Sequence, residues 1–169
     1  MADLLFQKKM KRLSVTDGVQ PEDLVQAGLD HYKSAIELYR LSPVYFDSGG
    51  YLMHMSAELI LKAWLQELTN SFPKTHLLED LYEELFKLAN APKLTPRQNE
   101  TLIILDTYEQ LRYPNRMKPV EVGDADLKFI AELHEFFLQS LPGSLIDKMG
   151  TVNDLSKGGR VLMKKRIEK

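Results

Sequence analysis

Two arginines, a tyrosine and an asparagine are packed into the stretch YEQLRYPNRMKP, Tyr108 to Pro119. Arg112 and Arg116 stand four residues apart and could form a fork for phosphate or carboxylate, since guanidinium groups match both anions with paired donors. Tyr113 offers a ring on which a base could stack. Asn115 could hydrogen-bond a base edge, or simply close the end of a helix. Pro114 stops whatever helix enters the stretch. Arg116, beyond that proline, is the freer of the two arginines to meet a ligand. Arg112 has an alternative use, pairing with a carboxylate on another helix.

Glu58 is the carboxylate to consider. It lies in MSAELILKAW, a run apolar enough to be buried, with Lys62 four residues on. A buried charge without a partner is very costly, so Glu58 must be paired or hydrogen-bonded. One reading is an i,i+4 pair with Lys62 on a narrow polar strip, contributing roughly 0.2–0.5 kcal/mol. The other is that Glu58 anchors an arginine or tyrosine, Arg112 included, from a neighbouring helix.

Other chemistries find little support. The four histidines, His31, His54, His76 and His134, include no H-x-x-x-H pair and no accompanying acidic trio, so no metal site is expected. His134 falls on an apolar stripe and reads as a hydrogen-bonded core histidine. The absence of cysteine removes disulfides and thiolate metal sites and fits a reducing cytoplasm. No phosphate-binding G-x-x-x-x-G-K-[ST] loop and no G-x-S-x-G elbow occurs, and no cofactor is expected. A net charge of −2 argues against a whole-surface nucleic-acid binder. No apolar run approaches the roughly 20 residues that cross a bilayer, so the chain reads as soluble and cytoplasmic.

These residues need helices to hold them. Residues 1–20 read as a lead-in ending in a TDG turn. Pro21-Glu22-Asp23 opens a first helix whose apolar face is Val25, Leu29, Tyr32, Ile36 and Tyr39, and which stops before Pro43. A second helix begins between Pro43 and Tyr51, blurred by Gly49-Gly50, and runs to about Asn70. It is apolar around most of its circumference and so should be central. Phe72-Pro73-Lys74 reads as a break. Thr75 is placed to cap a third helix with the stripe Leu78, Leu81, Leu85 and Leu88. Thr95-Pro96-Arg97-Gln98 has the order of a capping box for a fourth helix, which carries Leu102, Leu105 and Tyr108 into the arginine stretch. Asp124 is placed to cap a fifth, ended by Pro142-Gly143. No strand pattern or repeat is visible. The expectation is an all-α antiparallel bundle of about five helices over residues 21–141. Residues 142–169 are set apart as a basic tail. Its end, Lys157 to Lys169, is either a solvated terminus or a charge-driven contact for nucleic acid or an acidic partner.

Three segments together resemble one family. SGGYLMHMSAELILKAWLQ (Ser48 to Gln66) is similar to the second-helix signature of HEPN domains, the higher-eukaryote and prokaryote nucleotide-binding helical domains. PKTHLLEDLYEEL (Pro73 to Leu85) resembles the family's next segment, and LDTYEQLRYPN (Leu105 to Asn115) the one ending in Arg-Tyr-Pro. The resemblance spans about Gln20 to Leu141. It implies a helical bundle that commonly pairs into a homodimer. Many members are RNases of toxin–antitoxin and phage-defence systems, while others bind nucleotides or partner proteins without catalysis. Catalytic members carry R-x(4–6)-H. Arg112 matches the arginine, but Met117, Lys118 and Pro119 occupy the three places where the histidine is expected, and none follows until His134. Metal-independent RNA cleavage needs a group that moves a proton near neutral pH, which methionine and proline cannot supply. The resemblance thus implies a binding protein for nucleotide, RNA or a partner protein, without catalysis. An RNase with a rearranged active site, drawing on His76 or His134, is the alternative. Ligand candidates are Arg112, Tyr113, Asn115 and Arg116, supported by Glu58, Lys62 and His76.

Overall fold

The computed structural model describes residues 11–89, 91–112 and 124–155. Six α-helices build the bundle in this described part. α1 spans Pro21–Leu41, with proline in its first turn and Glu22 and Asp23 at the positive end of its dipole. Ser42, before Pro43, is extended, so the helix stops where the steric rule requires. After a 3₁₀ turn over Pro43–Tyr45, α2 runs from Phe46 to Thr69. Asn70 ends α2 in the left-handed conformation, φ 59°.

α2 is the central helix. Met53, Ala57, Ile60, Leu61, Ala63 and Leu65 are wholly buried along it, and α1, α3, α4 and α5 all pack against it. Gly49 and Gly50 lie inside α2 rather than before it. Each glycine costs about 1 kcal/mol in a helix relative to alanine. A close approach explains their presence. A Cβ on Gly49 would come 2.9 Å from the ring of Tyr39, and one on Gly50 only 2.0 Å from the ring of Tyr108.

Residues 71–73 correct the expectation of a chain without strands. β1, Arg12–Ser14, pairs antiparallel with β2, Ser71–Pro73, placing Leu13 opposite Phe72. Three residues are too few to display a period-2 pattern, and the proline that suggested a break sits at the end of the pair, a place strands tolerate. Arg12 locks the clasp, donating to Ser71 Oγ at 2.9 Å, Ser71 O at 3.0 Å and Glu84 at 2.8 Å.

α3 (Leu78–Ala89) buries Leu78, Leu81, Tyr82 and Leu85, whereas Leu88, expected on the same stripe, is 60% exposed. α4 (Pro96–Thr107) starts with the predicted capping box. Thr95 N donates to Gln98 Oε1 at 2.9 Å, and Gln98 N to Thr95 Oγ1 at 3.2 Å. A 3₁₀ turn, Tyr108–Arg112, continues directly from it. α5 is Asp124–Gln139, and α6, Gly143–Leu155, adds a helix within the segment read as a basic tail. Glu67 near the end of α2 holds α6, accepting from Ser144 Oγ at 2.7 Å and Lys148 Nζ at 2.6 Å. The stretch Lys157 to Lys169 lies outside the described residues.

Candidate functional site

Glu58 sits on α2 with its side chain 4% exposed. Its Oε1 accepts from Lys62 Nζ at 2.5 Å, one helical turn on, as the i,i+4 reading predicts. The same oxygen lies 3.1 Å from Nδ1 of His76, which precedes α3. Among the described residues the cross-element contact of Glu58 is thus a histidine; the pairing with Arg112 falls on a side chain outside the described part. His54, one turn earlier on α2, completes the group, with Nε2 3.6 Å from Glu58 Oε2. That separation is beyond hydrogen-bond length, and neither atom has a hydrogen-bond partner among the described residues. Burial alone would raise the Glu58 carboxyl. The contacts from His54 and Lys62, with the charges of Lys62 and His76, outweigh it and bring it down to about 2.

His54 ties this group to α4. Its Nδ1 faces the carbonyl of Leu105 at 3.1 Å. A carbonyl only accepts, so Nδ1 carries the proton and donates. Next along α4, Asp106 lies 3.8 Å from the same nitrogen. Asp106 also takes over a task expected of Thr75. Its Oδ1 accepts from Leu78 N at 2.7 Å and its Oδ2 from Glu79 N at 3.1 Å, so the first amides of α3 are capped from another helix. Thr75 accepts instead from Leu77 N at 3.1 Å, one residue ahead of α3. Burial raises the Asp106 carboxyl, opposed by these two backbone bonds and by His54.

A second polar group lies between α1, α2 and α5. Ser56 Oγ donates to Gly28 O at 2.6 Å and meets His134 Nε2 at 2.5 Å. The single hydroxyl proton is committed to the carbonyl, so His134 must donate from Nε2. Its ring stacks on Tyr32, centroids 4.1 Å apart, and is 3% exposed. Burial lowers its pKa to about 4, keeping the ring neutral at physiological pH. His134 is the hydrogen-bonded core histidine that the sequence suggests. A hollow of about 400 Å³ opens beside it, walled by Tyr32 and Leu138. Lys128, Glu132 and Glu135 rim it with both signs of charge, so it favours no particular ion.

Of the ligand candidates, Arg112 closes the 3₁₀ turn that begins at Tyr108, its side chain lying outside the described part. Tyr113, Asn115 and Arg116 lie outside the described residues altogether. Of the supporting residues, Glu58, Lys62 and His76 come together as one group. His54, Asp106 and Ser56 were missed. The spacing of His54, Glu58 and Lys62, four and four, would have put all three on one face of α2; nothing local marks Ser56 or Asp106. Among the described residues, no three His, Cys, Asp or Glu side chains are grouped to hold a metal, and no helix is long and apolar enough to cross a membrane.

No curated protein matches the sequence. The family model described as the HEPN domain matches residues 21–141, α1 through the end of α5, and with that span of helices the chain belongs to the HEPN domain family.

Proposed function

We propose that this chain is a HEPN-domain binding protein that recognises nucleotide, RNA or a partner protein through the Arg112–Arg116 stretch and performs no catalysis. The observation that carries the reading is the engagement of His54, His76 and His134; the fourth histidine, His31, lies on α1 apart from these groups. His134 is neutral, buried between Tyr32 and Ser56, and donates to a serine. His54 is fully buried and donates to Leu105 O. His76 is half-exposed but is held by Glu58. Met117, Lys118 and Pro119 fill the places where a proton-transferring histidine would follow Arg112. An arginine fork without such a partner binds phosphate but does not move protons. The reading includes a homodimer acting in the cytoplasm and a role in a toxin–antitoxin or phage-defence system, in keeping with the family.

The test uses the full chain and a 5′-fluorescein-labelled single-stranded RNA in the presence of a chelator. The RNA should remain intact, and its affinity should fall at least tenfold in Arg112→Ala and in Arg116→Ala. Cleavage by the wild type that disappears in Arg112→Ala would overturn the reading in favour of the RNase. Light scattering on the same sample reads the dimer.

A further inference from the structure

We infer that the glycine notch at the start of α2 is a positioning device for the backbone that leads to Arg112, seating the ring of Tyr108 and so fixing the 3₁₀ turn Tyr108–Arg112. The inference rests on the proposed binding role of Arg112 and adds how the turn leading to it is held. A Cβ on Gly50 would stand 2.0 Å from Tyr108 Cε1, 2.4 Å from Cδ1 and 2.5 Å from Cζ. Tyr108 is wholly buried, so its ring has no solvent side into which to retreat. To restore ordinary carbon–carbon contact at about 3.5–4.0 Å, the ring would have to withdraw by roughly 1.5 Å or more. Tyr108 is also the first residue of the turn whose last residue is Arg112. At about 2.0 Å of rise per residue in a 3₁₀ turn, Arg112 lies roughly 8 Å further along the same short rod. Moving one end of so short an element moves the other.

The turn is held from two further directions. α4 runs straight into it, with Tyr108 N bonded back to Leu105 O and Asp106 O. Asp106, two residues before Tyr108, is fixed to the start of α3 through Leu78 N and Glu79 N. The ring of Tyr108 is thus a contact with α2 beside the bond from His54 to Leu105 O, in a frame built by α3 and α4. Tyr108 is a positioning residue, acting through the backbone that leads to Arg112.

The test compares Gly50→Ala with Gly143→Ala in the full chain. A Cβ at Gly143 meets nothing within 4 Å, so this variant controls for the chemical change alone. Two quantities are read: amide hydrogen exchange over Glu109–Arg112, and affinity for the fluorescein-labelled RNA. Gly50→Ala should quicken exchange there at least tenfold and weaken RNA at least tenfold, leaving exchange in α5 unchanged; Gly143→Ala should do neither. Tyr108→Leu, which removes the ring and keeps the glycine, covers the case in which Gly50→Ala does not fold, and should show the same two changes. Exchange within twofold of wild type in both single variants would overturn the inference, whatever the RNA does. If wild type binds no RNA, the binding role falls, and the exchange measurement still decides whether the notch holds the turn.

Discussion

Replacing Glu58 by glutamine should cost about 3 kcal/mol at pH 7, and two routes lead to that magnitude. Lys62 is 6% exposed, and Glu58 is its only ion-pair partner among the described residues. Removing one partner of a buried pair costs about 3–5 kcal/mol, and a glutamine that still offers an oxygen places the loss at the lower end. The second route is the titration. The fall of the Glu58 carboxyl from 4.5 to about 2 corresponds to about 3 kcal/mol at ~1.4 kcal/mol per tenfold. The folded-state value lies below the unfolded one, so this stabilisation is complete above about pH 4.5 and is lost as pH falls through about 2. Urea denaturation of wild type and Glu58→Gln at pH 7, 5, 3.5 and 2 reads both consequences. The gap should be about 3 kcal/mol at pH 7 and 5 and should close toward pH 2. At pH 7 the melting temperature should drop by roughly 6–12 °C for a chain of this size. A gap below about 1 kcal/mol at pH 7, or one that persists unchanged at pH 2, would refute the reasoning.

Two further outcomes follow from the other buried groups. Ser56→Ala should destabilise the fold by about 2–4 kcal/mol, because Gly28 O and His134 Nε2 each lose their bond at a buried site; a loss under 1 kcal/mol by chemical denaturation would contradict the assigned network. His134 titrates near 4 when folded and near 6.5 when unfolded, so its contribution is present above pH 6.5 and is lost as pH falls toward 4. Nitrogen NMR should show the neutral Nε2–H tautomer down to about pH 5, and protonation at pH 6 would contradict it.

The helices were legible because their signals are local. Pro21 with two acids, Ser42 before Pro43, and the Thr95–Gln98 box each act within one turn, and each is found where its residues place it. The central position of α2 was legible from its all-round apolarity. The polar groups were half legible. Glu58 and Lys62 share a helix face, so their pairing is written in a spacing of four. The contacts of Glu58 with His76, of Asp106 with Leu78 and Glu79, and of Ser56 with His134 join residues 18 to 78 positions apart, which no local pattern encodes. The glycine pair blurred the start of α2, which falls at Phe46 within the expected range, for the same reason. Propensity puts Gly49 and Gly50 outside a helix, and only the aromatic rings lying against them explain why they are inside.

The capping of α3 by Asp106 has a consequence for how the chain is made. A helix normally carries its start signal just ahead of it, so it can begin to form as soon as its own residues emerge. The first amides of α3 find their acceptor 27 and 28 residues later, at the far end of α4. During synthesis these amides face water until residue 106 has appeared and α4 has folded back. The pair therefore becomes stable as one unit rather than helix by helix. The same residue leads directly into the 3₁₀ turn that ends at Arg112, so the backbone of that turn is tied to the closing of both helices.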